Sequence, residues 1–498
     1  MNAQQILSGL GWSTFATALS AVCQIVFMAV LARLLDPSVF GLMAMASIAL
    51  RFAGYFSQLG FAQALIQRPA IEAEDTTAAL AMALLLGGVF AGATALASPL
   101  IARAFHAVEL SSLVAVLGLS LPLVAVGSLP MALLRRAARF KRGNAIEVAA
   151  YVLGYGVVGI TCALRGLGVW SLVLATLSQQ ALVLVLGFSS LRYPLGWPLR
   201  REAAARLWSF GSRYSLIGFV EFLGGNIETL IVGRMFGKGE LGLLNRAGAV
   251  TNLPVELGVS AVNKVLFPAL AGLQQDRRRL ADGFQMLLLC VGLFSTAMAC
   301  GVAAGASDVV PLLLGAKWIG IVPLVAVLAL AVPPTFMFVA CGVTLDALAA
   351  LGPKLRLQSL VLALKVALVL ALARWQLEGV AWAVVATEAV RLAAGLRLVG
   401  LLLEIPLAAL GRLLVLLAAV GAAIWFTIAA TQALATAGDI PLLARVPLEF
   451  LAGSAAFAAA LLALAVRFAH YPPLQRFEAA RRWHLRVMAV IHPRAALP

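Results

Sequence analysis

Several charged side chains stand where charge is most costly. Seven Lys or Arg and several acids fall inside long apolar segments, and an ionisable group at the centre of a membrane helix costs about 2.5–3.5 kcal/mol on insertion scales. Arg51, Glu221, Glu228 and Arg391 fall near the middle of such segments, which makes each a functional candidate by default. Arg213, Arg246, Lys264 and Arg397 fall nearer segment ends, where a long side chain has the alternative of reaching out to the interface. Lys365 and Glu388, on neighbouring segments, have the alternative of a buried structural pair.

Uncharged polar residues follow helical spacing. Ser13, Thr17, Ser20 and Gln24 share one face of the first segment, and Ser47, Arg51 and Gln58 one face of the second. On the seventh segment Arg213, Glu221 and Glu228 lie within an arc of about 80°. On the eighth, Asn245 and Asn263, like Arg246 and Lys264, are five full turns apart, with Asn252 near the same line. Such stripes can line a hydrated cavity. They can also join helices by hydrogen bonds of well under about 2 kcal/mol each, which is the commoner fate of Ser, Thr and Asn.

No catalytic constellation accompanies these residues. Walker A, His-Glu-x-x-His and Gly-x-Ser-x-Gly patterns are missing, so neither direct use of ATP nor hydrolysis is expected. Five scattered cysteines and four histidines show no metal-ligand or disulfide spacing, and we expect buried, reduced thiols, no metal and no cofactor.

The elements that must position these residues are membrane helices. Of 498 residues 62% are apolar and 12% charged, against about 45–50% and 25% in soluble domains. A crossing needs about 20 apolar residues. We place crossings at 9–33, 38–66, 76–103, 109–134, 145–164, 168–190, 207–235, 241–271, 280–305, 317–346, 354–373, 378–400, 410–434 and 446–467, about fourteen in an all-α integral membrane fold. The first is too long, and too poor in basic residues at its start, for a cleaved signal peptide. Pro122, Pro130, Pro254, Pro268, Pro333 and Pro334 should bend spans 4, 8 and 10. Asp36 and Pro37 should cap and open the second.

The net charge of +16 is mostly a topology signal. With the N-terminus inside, and with basic residues in the first or last three positions of a span counted with the adjoining loop, the inner side and the C-terminal tail hold 22 of the 37 Lys and Arg and the outer side 8, the other seven lying deeper within spans. Both termini are therefore expected in the cytoplasm of a multi-pass inner-membrane protein. Contact with anionic lipids is a secondary role for this charge, and nucleic acid is not expected as a partner.

A faint internal repeat aligns the segment from Gly11 with that from Gly211, matching Arg33, Gly41 and Leu42 to Arg234, Gly242 and Leu243. The offset of about 201 residues equals six spans, an even number, so the halves should be parallel repeats. The expected organisation is a six-helix lobe over 1–195, a second over 196–405, an extra helix pair over 406–468 and a basic cytoplasmic tail over 469–498. That is carrier architecture.

The segments "LARLLDPSVFGLMAMASI" (31–48), "QLGFAQALIQRP" (58–69), "GLGVWSLV" (166–173), "IETLIVGRMFGKGELGLLNRA" (227–247), "NLPVELGVSAVNKVLFPALAGLQQD" (252–276) and the "LEGVAWA" turn (377–383) together resemble the polysaccharide transporter (Wzx-like flippase) family of the multidrug/oligosaccharidyl-lipid/polysaccharide superfamily. The resemblance covers roughly residues 9–400. Family members often carry Asp where this chain has Glu228 and Tyr where it has Leu244. The resemblance implies a flippase, not an enzyme, that carries an undecaprenyl-diphosphate-type lipid-linked oligosaccharide outward by alternating access between two lobes. Arg51, Arg213, Arg246, Lys264 and Arg391 would then meet the anionic headgroup, while Ser20, Gln24, Gln58, Asn245 and Asn252 are sugar-contact candidates. Glu221 and Glu228 are candidates for H⁺ or Na⁺ coupling, with fixed counter-ions as the alternative. Membrane lipids and other glycan-assembly proteins are the expected partners. The competing readings are a small-cation drug antiporter of the same superfamily, for which the surplus of Arg and Lys argues poorly, and a membrane-embedded glycan polymerase or glycosyltransferase, which would call for acidic motifs on a large external loop.

Overall fold

The computed structural model describes residues 3–58, 61–67, 71–190, 224–252, 276–348 and 350–466, and the described residues are helical or short connections. In unit 1 (Met1–Arg246) the helices are α1 (Ala3–Leu34), α2 (Pro37–Gln58), α3 (Phe61–Gln67), α4 (Ala73–Ala104), α5 (Leu110–Leu117), α6 (Ser120–Arg136), α7 (Phe140–Tyr151), a π-helical segment (Val152–Gly159), α8 (Ile160–Leu164) and α9 (Val169–Ser189). Residues 224–252, here α10, run across the border into unit 2. Unit 2 (Ala247–Pro498) continues with α11 (Arg277–Ala304), α12 (Ala306–Leu314), α13 (Val322–Ala329), α14 (Val332–Ala347), α15 (Leu351–Leu372), α16 (Gln376–Leu403), α17 (Leu407–Ala437) and α18 (Leu442–Val466).

Helices stand at every expected crossing except the seventh and eighth, of which only the adjoining ends are described. The helices turn apolar side chains outward as well as inward, Leu96 on α4 being 84% exposed and Phe426 on α17 72%. That pattern suits lipid, which is as apolar as leucine and leaves helix faces nothing to hide. The same reason corrects one expectation about thiols. All five are free, but Cys341 alone is buried and Cys290 is exposed on α11, because a thiol on an apolar helix face does not need burial to avoid water.

Proline and glycine set the breaks. The second span ends its helix at Gln58 and continues as the short α3, rather than running unbroken to residue 66. The fourth divides into α5 and α6 around Gly118, with Pro122 in the first turn of α6 and Pro130 inside it. The tenth bends at Ala331, where Pro333 and Pro334 occupy the opening positions of α14, whose missing N–H groups have no intrahelical partner there. Residues 377–383 are the start of α16, not a turn; the reversal lies just before, at Gln376 with φ 57°. Pro254 and Pro268 lie outside the described residues.

Each unit has its own core. In unit 1, Phe61 and Leu65 of α3 pack with Ala78, Ala79 and Ala83 of α4 and Leu129 of α6. In unit 2, Phe284, Phe336, Leu396 and Leu413 join α11, α14, α16 and α17. The expected lobe border at residue 195 falls among residues outside the description.

Candidate functional site

The fifth span carries the main departure from ideal helix geometry. Val152–Gly159 is π-helical between α7 and α8, and π segments inside α-helices are frequently found at functional sites. Glycines let neighbours press against it: a methyl at Gly156 would meet the Phe27 ring of α1 at 2.6 Å, and one at Gly154 would meet Gln179 of α9 at 2.8 Å. Tyr151 and Tyr155, one turn apart, stack with centroids 5.0 Å apart, and Phe27 lies 5.8 Å from Tyr151. Thr176 donates to the Leu172 carbonyl at 2.8 Å, so the 2.9 Å contact between Tyr155 Oη and Thr176 Oγ1 has the tyrosine as donor.

Arg246 faces this aromatic wall. Its guanidinium carbon stands 4.2 Å from the centroid of Phe40 on α2, its Nη2 donates to Asn245 Oδ1 at 3.0 Å, and both tyrosines lie close enough to feel its charge. Its buried Nε has no hydrogen-bond partner among the described residues. A buried N–H left unmade costs about 1–3 kcal/mol, more when charged. An arginine set against the Phe40 ring with a spare donor is suited to an anionic oxygen, which a guanidinium grips with directed bonds.

The α2 stripe continues from there. Ser47, Arg51 and Gln58 follow Phe40 at spacings of seven, four and seven residues, which keeps them within about 20° of one line. Arg51 is exposed and Gln58 half-buried. On α1, Ser20 and Gln24 are half-buried, and Gln24 lies one turn from Phe27, on the face that meets Tyr151. Of the expected contacts, Arg246 and Asn245 touch each other in unit 1, while Arg51 and Gln58 stand three and five turns further along the Phe40 face of α2 and Ser20 and Gln24 stand on α1. Asn252 is exposed at the last described residue of α10, and Glu228 is half-buried near its start. Arg213, Glu221 and Lys264 lie outside the described residues. Arg391 belongs to unit 2, where it donates to Glu388 Oε1 at 3.2 Å and lies 4.2 Å from the Phe338 centroid. Lys365 and Glu388 are both buried, on the packed helices α15 and α16.

Tyr151 and Tyr155 were not singled out from sequence. Their signal was present as Tyr-x-x-x-Tyr with three glycines in eight residues of an apolar span, in a chain with only six tyrosines.

Earlier in α10, two of the residues matched in the sequence alignment of the halves, Gly41 and Gly242, lie at one helix crossing. A methyl on Gly41 would overlap the Lys238 carbonyl, and one on Gly242 would overlap the Pro37 carbonyl. Position 41 meets 238 while 242 meets 37, so the same offset of 201 relates both pairs. The contact is reciprocal, a local twofold crossing of the start of α2 with α10. Gly237, with φ +81°, takes in the second copy the place of Asp36 in the first. Beside the crossing, Lys238 donates to Glu109 Oε1 at 2.5 Å and Arg234 reaches the His106 ring. The Lys238 ammonium holds the Glu109 carboxyl below the usual carboxylate range. No group of three or more potential metal ligands occurs among the described residues.

Comparison with known proteins places this geometry. Residues 30–323 match the model of a family described as polysaccharide biosynthesis protein. The chain belongs to that family. It is 28% identical over 331 residues to the lipopolysaccharide biosynthesis protein WzxC of Escherichia coli K12, covering 65% of this chain and 66% of the relative. It is 29% identical over 339 residues to the succinoglycan biosynthesis transport protein ExoT of Rhizobium meliloti, covering 66% and 67%. The chain thus spans about two thirds of these relatives' lengths. Among solved structures, the lipid II flippase MurJ in an inward closed conformation has TM-score 0.73 at 12% identity, covering 92% of this chain and 99% of that one. An inward-facing multidrug transporter of the MATE family has TM-score 0.63 at 15% identity, covering 77% and 94%. This family member therefore shares its fold with MurJ and with the MATE-family transporter.

Proposed function

We propose that the chain is a flippase that moves a lipid-linked oligosaccharide, of the undecaprenyl-diphosphate type, across the bacterial inner membrane by alternating access. The observation that carries the reading is Arg246, a cation among aromatic rings whose Nε lacks a partner and which no carboxylate pairs among the described residues. A diphosphate oxygen supplies what that N–H lacks. Arg51, three turns along the Phe40 face of α2, would hold a second charge of the headgroup. The Tyr151–Tyr155 stack offers ring faces, and Ser20, Gln24, Gln58, Asn245 and Asn252 offer polar groups, to the sugars. The names of the relatives, which concern lipopolysaccharide, succinoglycan and teichuronic acid biosynthesis, support a glycan cargo.

The finer parts of the reading are proposals in the same sense. Arg213, Lys264 and Arg391 complete the set of headgroup cations, Glu221 and Glu228 couple transport to H⁺ or Na⁺, and the lobes divide at 1–195, 196–405, 406–468 and 469–498. Both termini face the cytoplasm, membrane lipids surround the chain, and other glycan-assembly proteins work beside it. No catalytic step is assigned. The Gly41–Gly242 crossing and the Lys238–Glu109 pair would then stand at the periplasmic ends of their helices and close that side. In cells, Arg246→Ala should abolish surface glycan at unchanged protein level, with lipid-linked precursor accumulating on the cytoplasmic face, while Arg246→Lys should retain part of the export. Normal glycan export by Arg246→Ala, or efflux of organic cations by the wild type, would overturn the reading in favour of a drug exporter.

A further inference from the structure

A second cluster of buried charge lies in unit 2, where α12 packs against α18. Asp308, in the first turn of α12, and Glu449, on α18, are 7% and 4% exposed. The two acids stand on packed helices, α12 against α18. One oxygen of each, Glu449 Oε1 and Asp308 Oδ2, is buried without any partner among the described residues. The Glu449 carboxyl reaches the start of α12, where a methyl on Gly305, three residues before Asp308, would lie 3.0 Å from Glu449 Oε2.

Two ionised carboxylates are acceptors only, so neither can bond the other. Side by side and out of water they also repel, and such pairs hold one proton in common. The neighbouring groups do not cancel this. Arg445, one turn earlier on α18, donates to the Ile440 carbonyl at 2.6 Å and to Thr436 Oγ1 at 3.4 Å, acting on Glu449 as a nearby charge. On α17, Gln432 donates to Ser307 Oγ at 2.7 Å. The charges on adjoining turns, Lys317 after α12 and Asp439 before α18, are both exposed. A cleft of about 630 Å³, lined by Ser307, Asp308, Gln432, Thr436 and Arg445 among others, leads from the surface to Asp308.

We propose that Asp308 and Glu449 form a cation-binding site whose occupant is a single proton, donated by Glu449 to Asp308 and exchanged with the aqueous phase through this cleft. The first turn of α12 favours the anion on Asp308, because the unpaired N–H groups of a helix start carry partial positive charge. The shared proton fastens α18 to α12. This inference is independent of the cargo proposed above and stands or falls separately from it.

The test uses the full chain in lipid nanodiscs. Infrared spectra of the wild type at neutral pH should show a protonated carboxyl C=O stretch that shifts in D₂O and disappears on titration to alkaline pH. Glu449→Gln and Asp308→Asn should each remove that band, since an amide beside the remaining carboxylate supplies the bond without a proton. Equal carboxyl absorbance in wild type and in both variants would overturn the proposal. If neither variant folds, the wild-type titration decides alone, and the lack of a titrating carboxyl band overturns it. Binding of radioactive sodium by the wild type at neutral pH, lost in Glu449→Gln and unaccompanied by the band, would make the pair a sodium site and overturn the proton assignment.

Discussion

At Arg246 the balance of forces is set by what surrounds the guanidinium rather than by the cation itself. A ring 4.2 Å away and one amide oxygen offset part of its desolvation, since cation–π contacts contribute about 0.5–2 kcal/mol. The remaining donor is where an anion would gain most. Tyr155→Phe should leave the ring stack intact and remove only the bond to Thr176, lowering thermal stability in detergent by about 0.5–1.5 kcal/mol. Tyr151→Ala removes a ring from the wall and should reduce glycan export far more than it reduces stability; equal losses would assign the tyrosines to packing alone. The charges were legible in sequence because ionisable residues stand out in apolar segments. The tyrosines were not, because an aromatic residue in a membrane span usually packs, and nothing in the residue types announces a π-helical turn.

Between elements, contacts at the crossing of α2 and α10 are made by main chain. Gly41→Ala and Gly242→Ala each force a methyl into a backbone carbonyl, and overpacking of that kind costs about 1–3 kcal/mol. The local twofold relation makes the two changes equivalent. Both should raise the labelling of a cysteine placed at Val39 by a membrane-impermeant maleimide, and by similar factors. The Lys238–Glu109 pair beside it is half exposed and adds under about 1 kcal/mol. Its sign is set by the depressed Glu109 carboxyl: the stabilisation is present above the ordinary carboxylate range and is lost as pH falls through the lowered value in the fold. The charge-swapped double variant Glu109→Lys with Lys238→Glu should restore what either single change removes, read by the same labelling. The repeat register was legible from a few matched residues. The turn chemistry was legible only in the first copy, where Asp36 and Pro37 announce a helix start; the second copy reaches the same turn with Gly237, whose freedom at positive φ leaves no such mark.

For the whole molecule, apolar runs and flanking charge carried the architecture. Segment lengths near 20 residues located the helices to within a few positions, as α15 and α16 illustrate against expected spans of 354–373 and 378–400. What they could not locate was the buried acid pair, since Asp308 reads as a loop residue and Glu449 as one charge near a helix start. Orientation rests on the distribution of Lys and Arg. Alkaline phosphatase fused after Asp439 should therefore be active and a fusion after Pro498 inactive, with the reverse pattern for a cytoplasmic reporter. Opposite activities would invert the topology and, with it, the side that the glycine crossing closes.

That crossing has one more consequence. A contact made of peptide carbonyls against glycine Cα atoms contains nothing to protonate, phosphorylate or screen with salt. Changes of pH and ionic strength can loosen the ion pairs at its rim, but the crossing itself is deaf to them. It yields only to displacement of entire helices, which is mechanical work rather than a change of charge.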